Sequence, residues 1–365
     1  MHLPGKKDCC WAETAVATSY ATLTRSEKTD VAVVGAGIVG LTAAYSLIRA
    51  GFSVTVLEAR KIGRQVTGRS TAKVTAQHTL IYRYLIDRFG VSHAQLYADA
   101  NRSGVEVDKL SIDCDFEPKD AYVYAGNSSR REELEAEAEA ARSLGFNADV
   151  LPKAPLPFET TGALRFRDQA QFNPVQYLDG LGAAITAAGG RIFENTRVTK
   201  IDLGNRWQIE AGRAHLQAEH VIVATNFPIA GPVSYDRTAR PRCHIGMAFR
   251  MASGEAIDGM FIGIDKPTHS LRMGRDRDGP LLVVLGPSFQ TGHDGDVAER
   301  FRNLEKWVRI NFQAGEAAWH WANEDYDTPD RVPFVGAPSQ KKSPGLYVAT
   351  GFNGWGISNG TAAGS

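Results

Sequence analysis

Residues 30–60, DVAVVGAGIVGLTAAYSLIRAGFSVTVLEAR, decide the fold that the sequence predicts. Residues 31–34 are a short apolar run rich in valine, which is typical of a buried parallel strand. A Gly-x-Gly-x-x-Gly motif follows at once, and apolar residues then recur at helical spacing as far as Gly51. A second apolar run, residues 54–57, ends at Glu58. The stretch therefore predicts a strand–helix–strand unit that binds a dinucleotide.

Each part of this unit has a physical role in holding a diphosphate. Gly35 permits a tight turn, Gly37 lets the backbone approach the phosphates, and Gly40 allows the helix and the strand to pack closely. The helix N-terminus offers free N–H groups and the positive end of its dipole. The Glu58 carboxylate can accept hydrogen bonds from ribose hydroxyls and would repel the 2′-phosphate of NADP. The unit by itself leaves FAD and NAD open. The cofactor contacts predicted here are Gly35, Gly37, Ile38, Val39, Gly40, Glu58, Ala59 and Arg60.

Length and charge limit the classes of protein that remain. A chain of 365 residues is long enough for two domains or one elaborated domain. Its 41 basic and 41 acidic residues give a formal net charge of zero, which provides no field to attract nucleic acid or an anionic membrane. The longest apolar runs are strand-sized, so no membrane span is predicted and a cytoplasmic location is expected.

The four cysteines form neither a disulfide framework nor a metal-ligand spacing, so no metal site is predicted. The pair Cys9–Cys10 is expected in a flexible arm.

Three later stretches favour FAD over NAD. They are GRQVTGRSTAKVTAQH at residues 63–78, a strand-rich segment at residues 191–226 that ends in VIVATN, and GLYVATGFNGWG at residues 345–356. With these stretches, residues 30–363 resemble the D-amino-acid oxidase superfamily of FAD-dependent oxidoreductases, which includes the glycine and sarcosine oxidases. The resemblance implies that FAD is the cofactor. It also implies further FAD contacts at Arg69, Ser70, Thr71, Val198, Ala224, Thr225, Gly354, Trp355, Gly356 and Ile357.

The closing turn has a defined role in this resemblance. A helix N-terminus directed at the flavin C2 carbonyl would present the N–H groups of Trp355, Gly356 and Ile357 and the positive end of its dipole. Gly354 and Gly356 would let the backbone come close to the ring. The sequence indicates only the first turn of that helix before Ser365, so we expect the chain to be a fragment of a longer protein.

The resemblance also implies an α/β fold with two domains. One is a Rossmann-like FAD-binding domain on a parallel sheet, and the other is an inserted α+β substrate domain on a mostly antiparallel sheet. The expected ranges are 1–29 for an N-terminal arm, 30–110, 164–232 and 318–365 for the FAD-binding domain, and 111–163 and 233–317 for the substrate domain. Within the insertions, the charged helix at residues 128–145 should begin at Ser128 or Ser129, end at Gly145 and expose its Glu and Arg residues.

Departures from the family pattern bear on the substrate. Asp325 stands where amino-acid oxidases of this group carry a carboxylate-binding arginine, and Gly354 stands where glycine oxidases carry a second one. Because a bidentate carboxylate contact is lost, we expect that a free α-amino acid is not the substrate and that Asp325 attracts an amine. Lys73 is a candidate for stabilising negative charge on the reduced flavin or for helping oxygen to react with it. The alternative is a partly exposed lysine in a loop, without a catalytic role. His78 is a candidate pocket residue or a structural histidine, and Arg272 is a candidate contact for an anionic substrate.

The leading hypothesis is an FAD-dependent oxidoreductase that takes hydride from a small, amine-type donor and passes the electrons to oxygen or another acceptor. The alternatives are an electron-transfer module working with an iron–sulfur partner, a truncated inactive FAD-binding protein, and, by fold alone, an NAD dehydrogenase. TAKVTAQH, DYDTPDRVPFVG and GFNGWGISNG resemble a bacterial subgroup that often carries a C-terminal Rieske domain. The Cys-x-His and Cys-x-x-His pairs of such a domain do not occur in these 365 residues, so we expect any Rieske centre in a longer parent chain.

Overall fold

The structure is a computed structural model that describes residues 3–14, 18–105, 111–231, 234–235, 238–251, 256–292 and 295–365. The described strands are β1 (Glu27–Val34), β2 (Val54–Leu57), β3 (Lys73–Val74), β4 (Glu117–Ala125), β5 (Ala148–Leu151), β6 (Gly162–Gln171), β7 (Arg191–Phe193), β8 (Val198–Leu203), β9 (Trp207–Ala211), β10 (Ala214–Val223), β11 (Arg240–Met251), β12 (Met260–Gly263), β13 (Ser270–Asp276), β14 (Gly279–Leu285), β15 (Phe289–Gln290), β16 (Ala314–Asp327), β17 (Phe334–Gly336) and β18 (Leu346–Thr350). The α-helices are α1 (Ile38–Arg49), α2 (Tyr82–Phe89), α3 (Val91–Val105), α4 (Arg131–Ser143), α5 (Pro174–Ala187), α6 (Val297–Asn311) and α7 (Gly356–Gly364), and short 3₁₀ turns lie at Cys10–Glu13, Thr67–Arg69 and Ser128–Arg130.

The first sheet has the parallel core that the glycine motif predicts. Its strand order is β17-β18-β10-β1-β2-β7, and the neighbours from β18 to β7 run parallel. β17 adds an antiparallel edge, and β9 and β8 form an antiparallel extension of β10. Residues 31–34 of β1 and all of β2 except Thr55 are apolar because both faces of a parallel sheet are covered, here by α1 and α5 on one side.

The second sheet is mostly antiparallel, also as expected. Its order is β15-β11-β14-β13-β12-β4-β6-β3, with β16 paired to β11 and β5 paired to β6. β4 and β12 pair in parallel, whereas the alternating strands β11 to β14 form antiparallel neighbours. The predicted fold class is therefore confirmed.

Two glycines of the motif lie where the structure has no room for a side chain. Gly35 has a φ of +105°, and a Cβ there would lie 2.5 Å from the Ala224 carbonyl oxygen. A Cβ at Gly40 would lie 1.9 Å from the Gly35 carbonyl oxygen. Any larger residue at position 40 would push α1 away from the end of β1.

Helix α7 corrects the expectation that the chain stops after one helical turn. It runs from Gly356 to Gly364 and packs on α1 and α3. The packing is close because the contacts are made by glycines: a Cβ at Gly360 would lie 2.7 Å from Ile38 Cγ2, and a Cβ at Gly104 would lie 2.4 Å from the Ser358 carbonyl oxygen. The closing turn therefore has a supporting helix.

The N-terminal arm also differs from the expectation of a flexible segment. Cys9, Cys10 and Trp11 are buried, with exposed fractions of 1%, 0% and 2%. Lys6 N–H donates to the Ala318 carbonyl at 2.8 Å, so the arm lies along β16. Apolar side chains of β14 and β16 cover it, which explains why short cysteines next to a tryptophan are buried here.

Helix α4 departs from its prediction in two respects. Its 3₁₀ entry turn is capped by Asn127, whose side chain accepts from Ser129 N–H at 3.0 Å, and not by a serine. Glu137 is not on the exposed face but fully buried, and its carboxylate accepts from the N–H groups of Tyr82 and Arg83 at 2.8 Å each. This glutamate satisfies the free N–H groups at the start of α2, which local sequence could not reveal.

The domain boundaries stay a prediction. β6 and β16 both reach into ranges predicted for the FAD-binding domain, yet they pair within the second sheet. Among the described helices, none is both long enough and apolar enough to cross a membrane.

Candidate functional site

A cavity of about 1270 Å³ lies between the two sheets. It is larger than the roughly 300–1,000 Å³ typical of small-molecule sites, so it has room for a dinucleotide together with a substrate. Most of the residues predicted from the sequence line it. They are Gly35, Gly37, Ile38, Val39, Glu58, Ala59, Arg60, Ser70, Thr71, Lys73, His78, Val198, Ala224, Thr225, Asp325, Gly354, Trp355, Gly356 and Ile357. Gly40, Arg69 and Arg272 lie outside this lining.

At one end of the cavity the carboxylate of Glu58 is held in place by the backbone. Its two oxygens accept from Ala36 N–H at 2.9 Å and from Arg60 N–H at 2.8 Å. Glu58 is 8% exposed and follows β2 directly, while Gly37 caps α1 beside it. A fixed acceptor next to a helix N-terminus is the arrangement that binds a ribose and its diphosphate.

Lys73 lies farther along the cavity, at the start of β3. Its ammonium donates to Ser270 Oγ at 2.8 Å and to the Phe261 carbonyl at 2.5 Å. In the described part of the chain, no carboxylate forms an ion pair with it. Burial, and then the nearby Arg272 charge, lower the pKa of Lys73 well below the ordinary lysine value. An unpaired cation in a cavity is a candidate functional group, whereas a loop lysine would be solvated.

His78 lines the cavity but has a supporting role. Its Nδ1 lies 2.6 Å from the Tyr97 hydroxyl, and its Nε2 lies 2.9 Å from both the Thr75 carbonyl and Ser358 Oγ. Its ring stacks on Trp355 with centroids 4.7 Å apart. Burial lowers the pKa of His78 to about 3, so the ring is neutral at physiological pH. Both nitrogens are engaged, which makes His78 a support for α7 and Trp355.

The closing turn is fixed by strand β16. Asn353 and Gly354 have φ angles of +55° and +85°, and Asn353 N–H donates to the Tyr326 carbonyl at 3.1 Å. Thr328 N–H donates to Asn353 Oδ1 at 2.9 Å. Trp355 N–H already donates to the Phe352 carbonyl at 2.9 Å. It is therefore not available as a donor to the flavin, contrary to the prediction. The N–H groups of Gly356 and Ile357, in the first turn of α7, have no partner within the helix.

Strands β11 and β16 present a polar face to the cavity. Arg242 and His244 on β11 stand opposite Asp325 and Asn323 on β16 in the pairing register, and all four line the cavity. Asp327 follows at the same spacing and pairs with Arg242 at 2.8 Å. Sequence reasoning missed Arg242 and His244. The available signal was the period of two in RCH and NEDYD, because alternate residues of a strand share one face.

Three features of this face concern its chemistry. The carboxylate of Asp325 accepts from Gly354 N–H, and burial raises its pKa. His244 Nε2 is buried without a partner in the described chain, and burial followed by the Arg242 charge lowers the pKa of this imidazole to about 4. The guanidinium of Arg242 lies 3.2 Å from the position that a Gly354 Cβ would take. The Arg242 guanidinium thus lies close to Gly354, the position to which the resemblance assigns the second arginine of glycine oxidases. Here Asp327 forms an ion pair with that guanidinium.

Arg272 corrects a prediction. Its guanidinium does not face the cavity: it donates to the carbonyls of Thr71, Phe172 and Met273 and lies over the Trp11 ring at 4.6 Å. Arg272 is 2% exposed, and burial lowers its pKa to about 10. Alternate side chains of β13 point to opposite faces of the sheet, and Arg272 lies on the face that packs against residues 69–72. It therefore has no contact with a substrate in the cavity.

The residues present fit FAD. Gly37 has room for backbone approach at the α1 end, where the nearest atom to an added Cβ is Thr67 Oγ1 at 3.2 Å. Glu58 offers a fixed carboxylate acceptor, and the first turn of α7 offers N–H donors elsewhere in the lining. Arg242 Nε, another lining atom, is buried without a partner in the described chain. A dinucleotide with a polar ring system would use these groups.

Comparisons with known proteins identify the family and the cofactor. The family model described as FAD dependent oxidoreductase matches residues 30–365. A putative Rieske 2Fe-2S iron-sulfur protein, YhfW, of Bacillus subtilis is 32% identical over 361 residues, covering 97% of this chain and 70% of that protein. Gamma-glutamylputrescine oxidoreductase of Escherichia coli is 30% identical over 226 residues, covering 58% of this chain and 53% of that protein, so the match spans about half of that relative.

A solved structure shares the fold. L-proline dehydrogenase from P. horikoshii superimposes with a TM-score of 0.78 at 19% identity, over 93% of this chain and 92% of that chain. At this identity the likeness concerns the arrangement of the two sheets and not the substrate.

Proposed function

The chain belongs to the family of FAD-dependent oxidoreductases that includes the D-amino-acid oxidases, and from this premise we propose that it oxidises a small amine at the carbon next to nitrogen. FAD is its cofactor, and when bound it supplies the acceptor for a hydride. The residues proposed to hold it are the α1 glycine motif, Glu58, the segment 67–73 and the first turn of α7. What remains for the protein is to bind, orient and deprotonate the donor.

The observation that carries the proposal is the carboxylate of Asp325 on the cavity wall. In the described part of the chain it has no ion-pair partner, since Arg242 pairs with Asp327 instead. A carboxylate at this place attracts an ammonium group and repels a carboxylate. Because burial raises its pKa, Asp325 is also suited to take a proton from the bound ammonium before hydride leaves the carbon.

His244 and Lys73 complete the proposed substrate wall. The Nε2 atom of neutral His244 can accept a hydrogen bond from a donor N–H, which would help to orient the amine. The Lys73 ammonium, which donates to Ser270 Oγ in the cavity lining, is proposed to stabilise negative charge in the cavity. The name of the Escherichia coli relative, gamma-glutamylputrescine oxidoreductase, adds support for an amine donor.

The test uses purified protein loaded with FAD. Without oxygen, a mono- or diamine should bleach the visible flavin absorption, while glycine, sarcosine and D-alanine should bleach it far more slowly. Comparable bleaching by the three amino acids would contradict the exclusion of free α-amino acids. Absence of bleaching by every amine in a broad panel would contradict the proposed donor class.

A second candidate function concerns the electron acceptor. The Bacillus subtilis relative is named a putative Rieske iron–sulfur protein, and its match covers nearly the whole of this chain. In this second proposal, the electrons pass from the flavin to an iron–sulfur partner and not to oxygen. Release of hydrogen peroxide when air is admitted after bleaching supports an oxidase. Slow reoxidation by air, with fast reoxidation by an added one-electron acceptor, supports the iron–sulfur route.

A further inference from the structure

Three consecutive carbonyl oxygens in the cofactor segment each accept a hydrogen bond from a buried side chain. Trp321 Nε1 donates to Arg69 O at 2.9 Å, and Trp11 Nε1 donates to Ser70 O at 2.9 Å. Arg272 Nε donates to Thr71 O. The three donors come from β16, from the 3₁₀ turn of the N-terminal arm and from β13, so elements far apart in sequence converge on one loop.

Trp11 is the member of this set that the arm contributes, and it is held rigidly. Its side chain is 2% exposed, and the Arg272 guanidinium lies over its ring at 4.6 Å. The far edge of the indole packs on Gly274, where an added Cβ would lie 2.7 Å from Trp11 Cη2. Arg272 is fixed in turn by the Phe172 carbonyl at 2.8 Å. Because the Arg272 guanidinium packs on the Trp11 ring, neither of these two donors can move without disturbing the other.

These bonds control the direction of the loop backbone. A peptide unit is planar and trans, so the N–H of Thr71 points away from the Ser70 carbonyl and therefore away from Trp11. Ser70, Thr71 and Ala72 all line the cavity, whereas Trp11 does not. Ala72 has a φ of +51°, an unfavourable conformation for alanine that surrounding contacts must maintain. Holding the carbonyls from the arm side thus presents the loop to the cavity.

We propose that Trp11 is a positioning residue for FAD: the N-terminal arm, whose described residues do not line the cavity, holds segment 69–71 in the conformation that binds the cofactor. The inference rests on FAD as the cofactor and is independent of the substrate. It makes the arm part of the cofactor site, although the arm precedes the strand–helix–strand unit. Trp321 and Arg272 act on the two neighbouring carbonyls in the same way.

The test compares Trp11→Phe with Trp207→Phe. Trp207 is a matched control, since its Nε1 also donates to a backbone carbonyl, that of Pro344 at 3.0 Å, and its side chain is 5% exposed. Its bond lies outside the cavity lining. Titration of the apoproteins with FAD, followed by flavin fluorescence, should show a dissociation constant about tenfold higher for Trp11→Phe, as expected for loss of one buried hydrogen bond. Trp207→Phe should bind FAD as the unmodified protein does.

A second readout separates positioning from general stability. Without FAD, trypsin should cut after Arg69 faster in Trp11→Phe than in Trp207→Phe, because the carbonyl of the next residue, Ser70, is no longer held. If both variants lose the same thermal stability and keep the FAD affinity of the unmodified protein, the proposal is overturned. Should Trp11→Phe fail to fold, Trp321→Phe tests the same loop from β16, and an unchanged FAD affinity there would equally contradict the proposal.

Discussion

At the scale of the residue, Asp325 combines two tasks that the sequence could not separate. Its carboxylate holds Gly354 N–H in the closing turn and also lines the cavity. An asparagine would keep an oxygen acceptor for Gly354 but would lose the negative charge. The substitution can therefore divide a structural role from an electrostatic one.

We expect Asp325→Asn to retain FAD and to lose amine binding. The KM for a productive amine should rise about tenfold to a hundredfold, because a charge-assisted hydrogen bond is worth roughly 1.5–3 kcal/mol. The measurement is the amine concentration dependence of anaerobic flavin bleaching, with FAD content determined by absorbance. An unchanged KM in a protein that still binds FAD would show that Asp325 serves only the turn.

Lys73 gives a prediction about stability and pH. The pKa of this lysine is lowered in the folded protein, so between the lowered value and 10.5 the unfolded chain binds more protons and stability rises with pH. Below that window, the cost of burying the charge is fully present. We expect the difference in Tm between Lys73→Met and the unmodified protein to be more favourable to the variant at neutral pH than at high pH. The difference should narrow as the pH approaches 10.5.

Lys119 provides the control for this measurement. Its hydrogen bond with Asp258 raises its pKa, so its contribution to stability is lost only when the pH rises above the ordinary lysine value. The Tm difference for Lys119→Met should accordingly stay flat where that for Lys73→Met narrows. Parallel curves for the two variants would mean that Lys73 is charged without penalty.

At the scale of the element, the turn between β18 and α7 is a product of glycine and asparagine conformations held by β16. Gly356 itself has an ordinary φ, and the nearest atom to an added Cβ is Phe352 Cβ at 3.8 Å. The fold therefore does not require glycine at this position. We propose that glycine is present because FAD closely approaches the first turn of α7.

Gly356→Val should thus fold without binding FAD properly. The apoprotein should keep its stability to within about 1 kcal/mol, because valine is no poorer a helix former than glycine, while FAD content after reconstitution should fall at least about tenfold. Thermal unfolding of the apoprotein and the visible spectrum of the loaded protein give the two measurements. Full FAD content with an unaltered spectrum would place the flavin ring elsewhere.

At the scale of the whole molecule, elements of both sheets line one cavity. Glu58 and Gly37 follow strands of the parallel sheet, whereas Lys73, His244 and Asp325 lie on strands of the mostly antiparallel sheet. A ligand that fills this cavity would contact both sheets and should stabilise them together. A shorter ligand that reaches only the glycine motif would not.

We therefore expect FAD to stabilise the protein far more than NAD does. At a concentration one hundred times its dissociation constant, a ligand adds about 2.7 kcal/mol, which corresponds to a rise in Tm of roughly 5 °C. The measurement is thermal unfolding of the apoprotein with FAD, with NAD and with neither, all at equal concentrations. An equal shift with NAD would contradict the assignment of the cofactor.

How much of this was predictable depends on the sequence distance over which each feature is encoded. The glycine motif, the apolar strands and the helix stop at Gly51 are local patterns, and α1 and β2 lie where residues 30–60 indicate. The alternating strands of the second sheet were predictable for the same reason. The sequence thus determined the fold class, the dinucleotide unit and, through the resemblance, FAD.

Only the tertiary structure decided which side chains meet. Arg272 points away from the cavity, and Glu137 is buried against the start of α2. Trp11 donates a hydrogen bond to the carbonyl of Ser70, 59 residues farther along the chain. Arg242 and His244 became part of the site because β11 pairs with β16 in one register. These contacts join residues that are distant in the chain. Their partners follow from how the sheets pack and which face each strand presents, and no local pattern carries that information.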